Sequence, residues 1–246
     1  MGQKVSPIVQ RIGYIENWRS LWFANTPAEF RKNVVEDYKI RQYIQKKFVQ
    51  AAVSKVIIER LTDKIKIIIH TARPGVIIGR GGAEIKKLNA EIATLLGKNS
   101  VEQILVDYQE IKNPSIDAQL IAQNIAFQLV KRVAFRRAMK RAIENALSSG
   151  AKGIRIKCSG RLNGAEMARS ESYKEGKLPL QTLRAQIDYG FAEALTTYGL
   201  LGVKAWVYKG EIIKEIKRQE KQPVAVAAME QAAKPKPEPD KNKRKK

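Results

Sequence analysis

The sequence contains one cysteine, Cys158, and one histidine, His70, among its 246 residues. One cysteine cannot form an internal disulfide, and the two residues together cannot supply the four ligands that a structural zinc site usually takes. No serine, cysteine or carboxylate pattern accompanies His70, which we expect on the solvated side of a strand. Metal chemistry and nucleophilic catalysis therefore have no candidate residues.

Long apolar runs are also missing. No segment reaches the length of a membrane span, and the N-terminus lacks the compact apolar region of a signal peptide. We therefore expect a cytoplasmic protein without a membrane partner. Apolar residues still make up 44% of the chain, which is enough to bury the core of one large or two ordinary domains.

Negative charge is scarce. The chain has 46 Lys and Arg against 24 Asp and Glu, a formal net charge of +22. From Lys214 onward there are 11 basic and 5 acidic side chains, so most of the excess positive charge belongs to the rest of the chain. The commonest partner that stabilises such a charge is a polyanion, and nucleic acid is a more frequent one than a membrane.

Residues 26–112 predict the order helix, strand, strand, helix, helix, strand. A capping box that starts at Thr26 begins a helix reaching about residue 50. The runs VSKVIIER and DKIKIIIHTA alternate in the manner of a β-hairpin with its turn at residues 61–62. After a glycine-rich segment comes an amphipathic helix that is expected to stop at Gly97, and VEQILVDYQEI predicts the last strand.

The glycine-rich segment is GVIIGRGGAEI. A nucleotide P-loop needs a glycine followed by Lys-Ser or Lys-Thr, and a dinucleotide fingerprint needs glycine at position 84, so neither motif is present. Gly79, Arg80, Gly81 and Gly82 instead match G-x-x-G between two helical segments, the KH loop that clamps single-stranded RNA. The alternative is that these glycines only permit a tight turn. With no nucleotide site, the sequence predicts no enzyme, no cofactor and no small-molecule substrate.

Residues 113–212 predict a second α+β domain, with helices packed on a mixed β-sheet. We expect Ser115 to cap a long helical stretch that reaches Ser149 and breaks near Val133. Strands are expected at GIRIKCSG, AEMARSESY, LRAQIDYGF and VKAWVYKG. Their turns are expected at residues 163–164, 176–179 and 199–202.

A second candidate site lies in the helical stretch, where six cations fall within eleven residues and no acid occurs between Asp117 and Glu144. They are Lys131, Arg132, Arg136, Arg137, Lys140 and Arg141. Solvated helices normally interleave acids and bases, so an uncompensated row suggests that phosphates provide the counter-charge. The alternative is an ordinary solvated face.

The two ends of the chain have separate expectations. Residues 1–25 carry Trp18, Trp22 and Phe23 without clear periodicity, which favours an extended arm that docks by its aromatic side chains. Residues 213–246 are rich in Ala, Pro, Lys and Glu, a composition that cannot bury a core, so we expect a disordered basic tail.

The chain resembles the bacterial-type members of the third-protein family of the small ribosomal subunit, the universal S-three family, over nearly its whole length. The segments that carry the resemblance are MGQKVSP, WFAN, DYKIRQYI, TARPGVIIGRGG, FRRAMKRA, GAKGI, SGRLNGAEMAR, LRAQIDYG and TTYGLLGVKAWVYKGE. The resemblance implies an α+β chain: a type II KH domain (αββααβ) followed by a C-terminal α+β domain.

The resemblance also implies partners. They are the small-subunit (16S) rRNA, neighbouring proteins of the subunit head, and mRNA at the entry channel, where the residues matching Arg136, Arg137 and Lys140 assist mRNA unwinding without hydrolysing a nucleotide. Further basic RNA contacts are expected from Lys131, Arg132, Arg141, Arg161 and Arg169. The implied location is the cytoplasmic ribosome, and plastid members of the family make a plastid origin compatible as well.

One departure from the family pattern concerns the glycine loop. The commonest family loop has two basic residues between its outer glycines, whereas this chain has Arg80 and Gly81. Loss of one cation weakens the expected attraction for phosphate at this loop. The alternative function is a free KH-type regulator that binds single-stranded RNA outside the ribosome.

Overall fold

The computed structural model describes residues 3–61, 64–96 and 104–212. The described helices are Pro7–Arg11 (α1), Pro27–Lys47 (α2), Pro74–Ile78 (α3), Ala83–Leu96 (α4), Ala118–Val130 (α5) and Phe135–Ser148 (α6). The described strands are Ser20–Leu21 (β1), Val53–Arg60 (β2), Ile65–Thr71 (β3), Ile104–Glu110 (β4), Gly153–Gly160 (β5), Arg169–Gly176 (β6), Ala185–Thr196 (β7) and Gly199–Glu211 (β8). Residue 62 of the expected hairpin turn, the expected helix stop at Gly97 and the expected tail lie outside these residues.

The N-terminal domain has the predicted αββααβ order, from α2 to β4. Its sheet has the order β1-β2-β3-β4, with β2 antiparallel to β3 and parallel pairing at both outer positions. The alternation in β3 is confirmed, since Ile65, Ile67 and Ile69 are buried. Ile77 of α3 and Leu88 of α4 are buried in the same core, which holds the two helices on either side of the glycine turn.

Helix α2 begins as predicted, because the Thr26 hydroxyl accepts a hydrogen bond from the backbone N–H of Glu29. Its middle turns are tied to β2 by Arg60, whose guanidinium lies 2.7 Å from a Glu36 carboxylate oxygen and 2.6 Å from one of Asp37. Both carboxylates are buried, so each needs this cation as a partner.

The N-terminal arm docks by a different means than its aromatic content predicts. Arg11 is fully buried and donates hydrogen bonds to the carbonyl oxygens of Ala185, Leu180 and Thr182 in the second domain, at 2.7 to 3.0 Å. Burial lowers the pKa of Arg11. Of the three aromatic residues, Trp22 donates a hydrogen bond to Asp37, while Trp18 and Phe23 are exposed. The prediction that the arm docks by its aromatic side chains was therefore wrong for Trp18 and Phe23.

The C-terminal domain packs α5 and α6 on one face of a four-stranded sheet of order β6-β5-β8-β7. All three pairings are antiparallel, which corrects the expected mixed sheet. The turn between β7 and β8 lies at Thr197 and Tyr198, and Gly199 already belongs to β8, so the turn expected at 199–202 was placed too late. Strand β6 begins at Arg169, four residues after the predicted start.

The predicted break near Val133 is confirmed by the end of α5 at Val130 and the start of α6 at Phe135. The expected cap at Ser115 was wrong, because the residues from Pro114 to Ile116 form a short 3-10 turn. Asp117 caps α5 instead, and it accepts hydrogen bonds from the backbone N–H groups of Gln119 and Leu120.

His70 was expected on a solvated strand face, but it is half-buried. Its Nε2 atom is buried and has no hydrogen-bond partner among the described residues. Burial, with a smaller contribution from the charge of Lys55 across the strand pair, lowers the pKa of His70. Burial therefore favours the neutral form of this half-buried imidazole.

Candidate nucleic-acid interface

The glycine turn lies between α3 and α4, as the sequence predicts. Gly79, Gly81 and Gly82 all have positive φ, between 61° and 75°. A Cβ atom on Gly79 would lie 2.6 Å from Cγ and 2.9 Å from Cβ of Glu84, whereas Gly81 and Gly82 face open space. Backbone conformation thus favours glycine at all three positions, and packing against Glu84 requires it at Gly79 as well.

Arg80 is exposed at this turn and provides its one cationic side chain. Glu84 follows in the first turn of α4 and pairs with Lys87 at 3.2 Å. The backbone is therefore shaped to let an anion approach closely, while the charge that attracts the anion is small. Whether the turn binds RNA stays a prediction.

The cations of α6 share one side of that helix. Phe135 and Met139 are buried against the sheet, and Arg136, Arg137, Lys140 and Arg141 are all exposed. We call these four residues the α6 basic face. Because Arg136 and Lys140 are one helical turn apart, as are Arg137 and Arg141, the face consists of two parallel pairs of like charge.

Sequence reasoning missed one member of this surface, Glu171 of β6. Its carboxylate lies 3.3 Å from Nε of Arg136 and 3.2 Å from Nε of Arg169, so one acid bridges two of the predicted site residues. Hydrogen bonding to Arg136 holds the pKa of Glu171 below its usual range. The pairing joins residues 35 apart in sequence and has no local signature in the chain.

The α6 basic face is therefore only partly uncompensated. Arg136 has a counter-charge, which corrects the inference from the helix sequence alone that it lacks one. Within the described residues, no ion pair within 4.0 Å involves Arg137, Lys140 or Arg141. These three side chains form the part of the face that is available to a phosphate backbone.

Two further predicted residues lie at the turn between α5 and α6. The Lys131 ammonium lies 4.2 Å from the ring centroid of Phe127, which is itself largely exposed. Arg132 is exposed and has φ of +61°. Its backbone N–H bonds to Leu129 O, and that of Val133 bonds to Gln128 O, the Schellman pattern in which glycine is the usual residue. The chain thus keeps a cation where the backbone favours glycine.

Arg161 is largely engaged within the fold. Its Nε donates to Ala165 O at 3.0 Å and its Nη1 to Tyr198 O at 3.4 Å, which ties the end of β5 to the β7–β8 turn. The expected RNA contact of Arg161 stays a prediction, but its side chain also has this structural task. Arg169, by contrast, joins the α6 basic face through Glu171.

The described residues offer little for catalysis. They contain no cluster of three or more His, Cys, Asp or Glu side chains that could hold a metal ion. Cys158 is buried, and burial raises the pKa of its thiol to about 12, which keeps the sulfur protonated and unreactive. Among the same residues, no helix is both long and apolar enough to cross a membrane.

An αββααβ domain with a G-x-x-G turn between two helices, followed by a second domain with a row of exposed cations, defines a KH-type RNA-binding protein. Comparison with known families agrees. A family model described as KH domain matches residues 39–116, and one described as ribosomal protein S3, C-terminal domain, matches residues 125–207.

Curated relatives cover nearly the whole chain. The small ribosomal subunit protein uS3 of Carboxydothermus hydrogenoformans is 55% identical over 89% of this chain and 96% of its own length. The uS3 proteins of Desulforamulus reducens and Trichlorobacter lovleyi are 55% and 54% identical, over 89% and 87% of this chain. The chain belongs to the uS3 family of small-subunit ribosomal proteins, which are structural RNA-binding proteins and not enzymes.

Proposed function

We propose that the chain binds rRNA in the head of the small subunit, and that its α6 basic face contacts mRNA at the entry channel and assists the unwinding of structured message. The observation that carries the mRNA contact is the group of exposed cations Arg137, Lys140 and Arg141, which have no acid within ion-pair distance in the described part of the chain. Like charges one turn apart destabilise a helix, so a phosphate partner gives them a physical reason to be there.

The proposed mechanism needs no nucleotide hydrolysis by this chain. A row of cations fixed on a rigid helix attracts the phosphates of one RNA strand and releases counterions. When the ribosome pulls message past the face, the separated strand gains these contacts, which lowers the free energy of the open state relative to the duplex. The helix supports this task because Phe135 and Met139 anchor its other side in the core.

The KH domain serves the rRNA contact in this proposal. The turn at residues 79–82 exposes backbone with positive φ, and Arg80 adds one charge. Because a single cation gives a weak electrostatic attraction, the affinity at this turn depends mainly on close approach of the backbone to phosphate. In this proposal the turn at residues 79–82 binds RNA mainly through its backbone, and the α6 basic face binds RNA mainly through its positive charge.

The test replaces Arg136, Arg137 and Lys140 with alanine in intact ribosomes. Translation through a stable hairpin should slow more than translation through unstructured message. The matched control replaces three exposed cations of α2, Lys32, Lys39 and Lys46, with alanine, which removes the same charge from another surface. Equal slowing on both templates, or the same template preference in the control, would contradict an unwinding role.

The rRNA part is tested separately. The alternative of a free KH-type regulator predicts a protein that is absent from ribosomal particles after gentle lysis. The present proposal predicts that the protein cosediments with small subunits. Cosedimentation should be retained when Arg136, Arg137 and Lys140 are replaced, because assembly depends on the KH domain and the remaining surfaces.

A further inference from the structure

The C-terminal sheet has a second face that α5 and α6 do not cover. Helix α5 packs so closely on the first face that a Cβ atom on Gly190 would lie 2.3 Å from the carbonyl oxygen of Ala118. Since side chains alternate along a strand, the neighbours Tyr189 and Phe191 point to the opposite side. We call that side the outer sheet face.

Cations and aromatics dominate the outer sheet face. In the strand register Arg155 pairs with Trp206, which pairs with Tyr189. Two residues further along, Lys157 pairs with Lys204, which pairs with Phe191. A lysine directly opposite another lysine is unfavourable in an isolated sheet.

Ring contacts shape this face into a platform. The rings of Tyr189 and Trp206 have centroids 5.5 Å apart at an angle of 50°. The Arg155 guanidinium lies 5.5 Å from the Trp206 ring centroid, and the Lys204 ammonium lies 6.0 Å from that of Phe191. Aromatic rings and cations therefore lie side by side on neighbouring strands.

Five residues of this face form the floor of a groove of about 880 Å³: Arg155, Lys157, Tyr189, Lys204 and Trp206. One wall comes from the arm, through Lys4, Ser6 and Gln10, and another from Leu180 and Gln181. Four of the residues lining the groove are basic, Lys4, Arg155, Lys157 and Lys204, and none in the described part of the chain is acidic. The nearest acid on the outer face by strand register is Glu193, two residues beyond Phe191 and outside the groove.

We propose that this groove is a second RNA-binding site, which takes an unpaired segment of RNA. Bases would stack on Trp206 and Tyr189, and the phosphates between them would be held by Lys157 and Lys204. Uncompensated charge favours a polyanion, and the partly exposed rings of Tyr189 and Trp206 favour unpaired bases over the backbone of a closed duplex. The site lies on the opposite side of the sheet from α6, so it does not depend on the proposed mRNA contact.

The stacking part is tested with the full chain and two probes, a single-stranded oligoadenylate and inorganic polyphosphate of similar charge. Trp206→Leu should weaken oligoadenylate binding about tenfold and leave polyphosphate binding unchanged, because only the first probe has bases. Trp206→Phe keeps a ring and should retain most of the affinity. Equal effects on both probes, or none on oligoadenylate, would overturn the proposal.

The phosphate part is tested by Lys157→Gln with Lys204→Gln. The slope of log affinity against log salt should become shallower by about 1.4, since about 0.7 is lost for each single-strand phosphate contact. Lys39→Gln with Lys46→Gln removes the same charge from exposed positions of α2 and should leave the slope close to that of the unchanged protein. The proposal fails if the two double variants behave alike.

A third experiment uses the unchanged protein, so a loss of folding in the variants cannot affect its result. Ultraviolet crosslinking of intact small subunits should join RNA to the peptides that contain Tyr189 or Trp206. Crosslinks of these peptides to another protein, or RNA crosslinks confined to α6 and residues 79–82, would show that the outer sheet face is not an RNA site.

Discussion

Replacement of Arg132 tests whether the chain gives up stability to place a cation at the α5–α6 turn. Arg132 has φ of +61° at the position after the last turn of α5, where glycine is favoured. A non-glycine residue in this conformation costs about 1–2 kcal/mol, and the greater freedom of glycine in the unfolded chain offsets about 0.5–1 of that. Arg132→Gly should therefore stabilise the protein by about 1 kcal/mol.

Arg132→Ala is the matched variant, because it removes the same charge but keeps the strained conformation. Its free energy of unfolding should stay close to that of the unchanged protein. The unfolding free energy of a small protein falls by about 1–3 kcal/mol for each molar of urea. The urea midpoint of the glycine variant should therefore lie about 0.3–1 M above that of the alanine variant. If the two variants unfold together, the positive φ carries no strain and the reasoning is refuted.

The functional half of the prediction uses the same pair of variants. If Arg132 contacts phosphate, both variants should bind single-stranded RNA more weakly. The slope of log affinity against log salt should also become shallower by about 0.7 in both. A glycine variant that is more stable and binds RNA as well as the unchanged protein would show that the arginine is not there for RNA.

Three other replacements follow from the structure. Glu171→Gln should release Arg136 and Arg169 and steepen the salt dependence of RNA binding by about 0.7 for each new phosphate contact; a shallower slope would mean that Glu171 positions the two arginines. Gly81→Ala should cost about 1 kcal/mol of unfolding free energy from its positive φ, and Gly79→Ala more, because its Cβ also meets Glu84; equal losses in urea would refute the packing argument. Arg11→Met leaves buried carbonyl oxygens without donors and should cost about 3 kcal/mol or more, with faster proteolysis of residues 1–25; protection like that of the unchanged protein would contradict it.

The features that were predictable from sequence are those set by local rules. The Thr26 cap, the alternating isoleucines of β3, the glycine turn and the break after α5 each depend on residues a few positions apart. The exposure of the α6 basic face follows from helical periodicity. These local signals, taken together, were sufficient for the order of elements in the N-terminal domain.

The largest features that escaped prediction depend on contacts between distant residues, whereas the misplaced cap at Ser115 and the misplaced β7–β8 turn are local errors of two or three positions. Glu171 meets Arg136 only after β6 folds beside α6, and Arg11 is buried only because carbonyl groups of residues 180–185 surround it. A buried arginine reverses the usual preference of that side chain, so composition pointed to the aromatics instead. Strand direction in the C-terminal sheet likewise depends on pairing that no short segment specifies.

The position of Arg11 has a consequence for how the chain is made. The arm is synthesised among the first residues, yet Ala185, which accepts its guanidinium hydrogen bond, lies 174 residues later. At about 5–20 residues per second, the ribosome needs roughly 10–35 s to produce that partner. During this interval the Arg11 guanidinium lacks its carbonyl partners, so the contact of the N-terminal helix with the second domain can form only after residues 180–185 have been made.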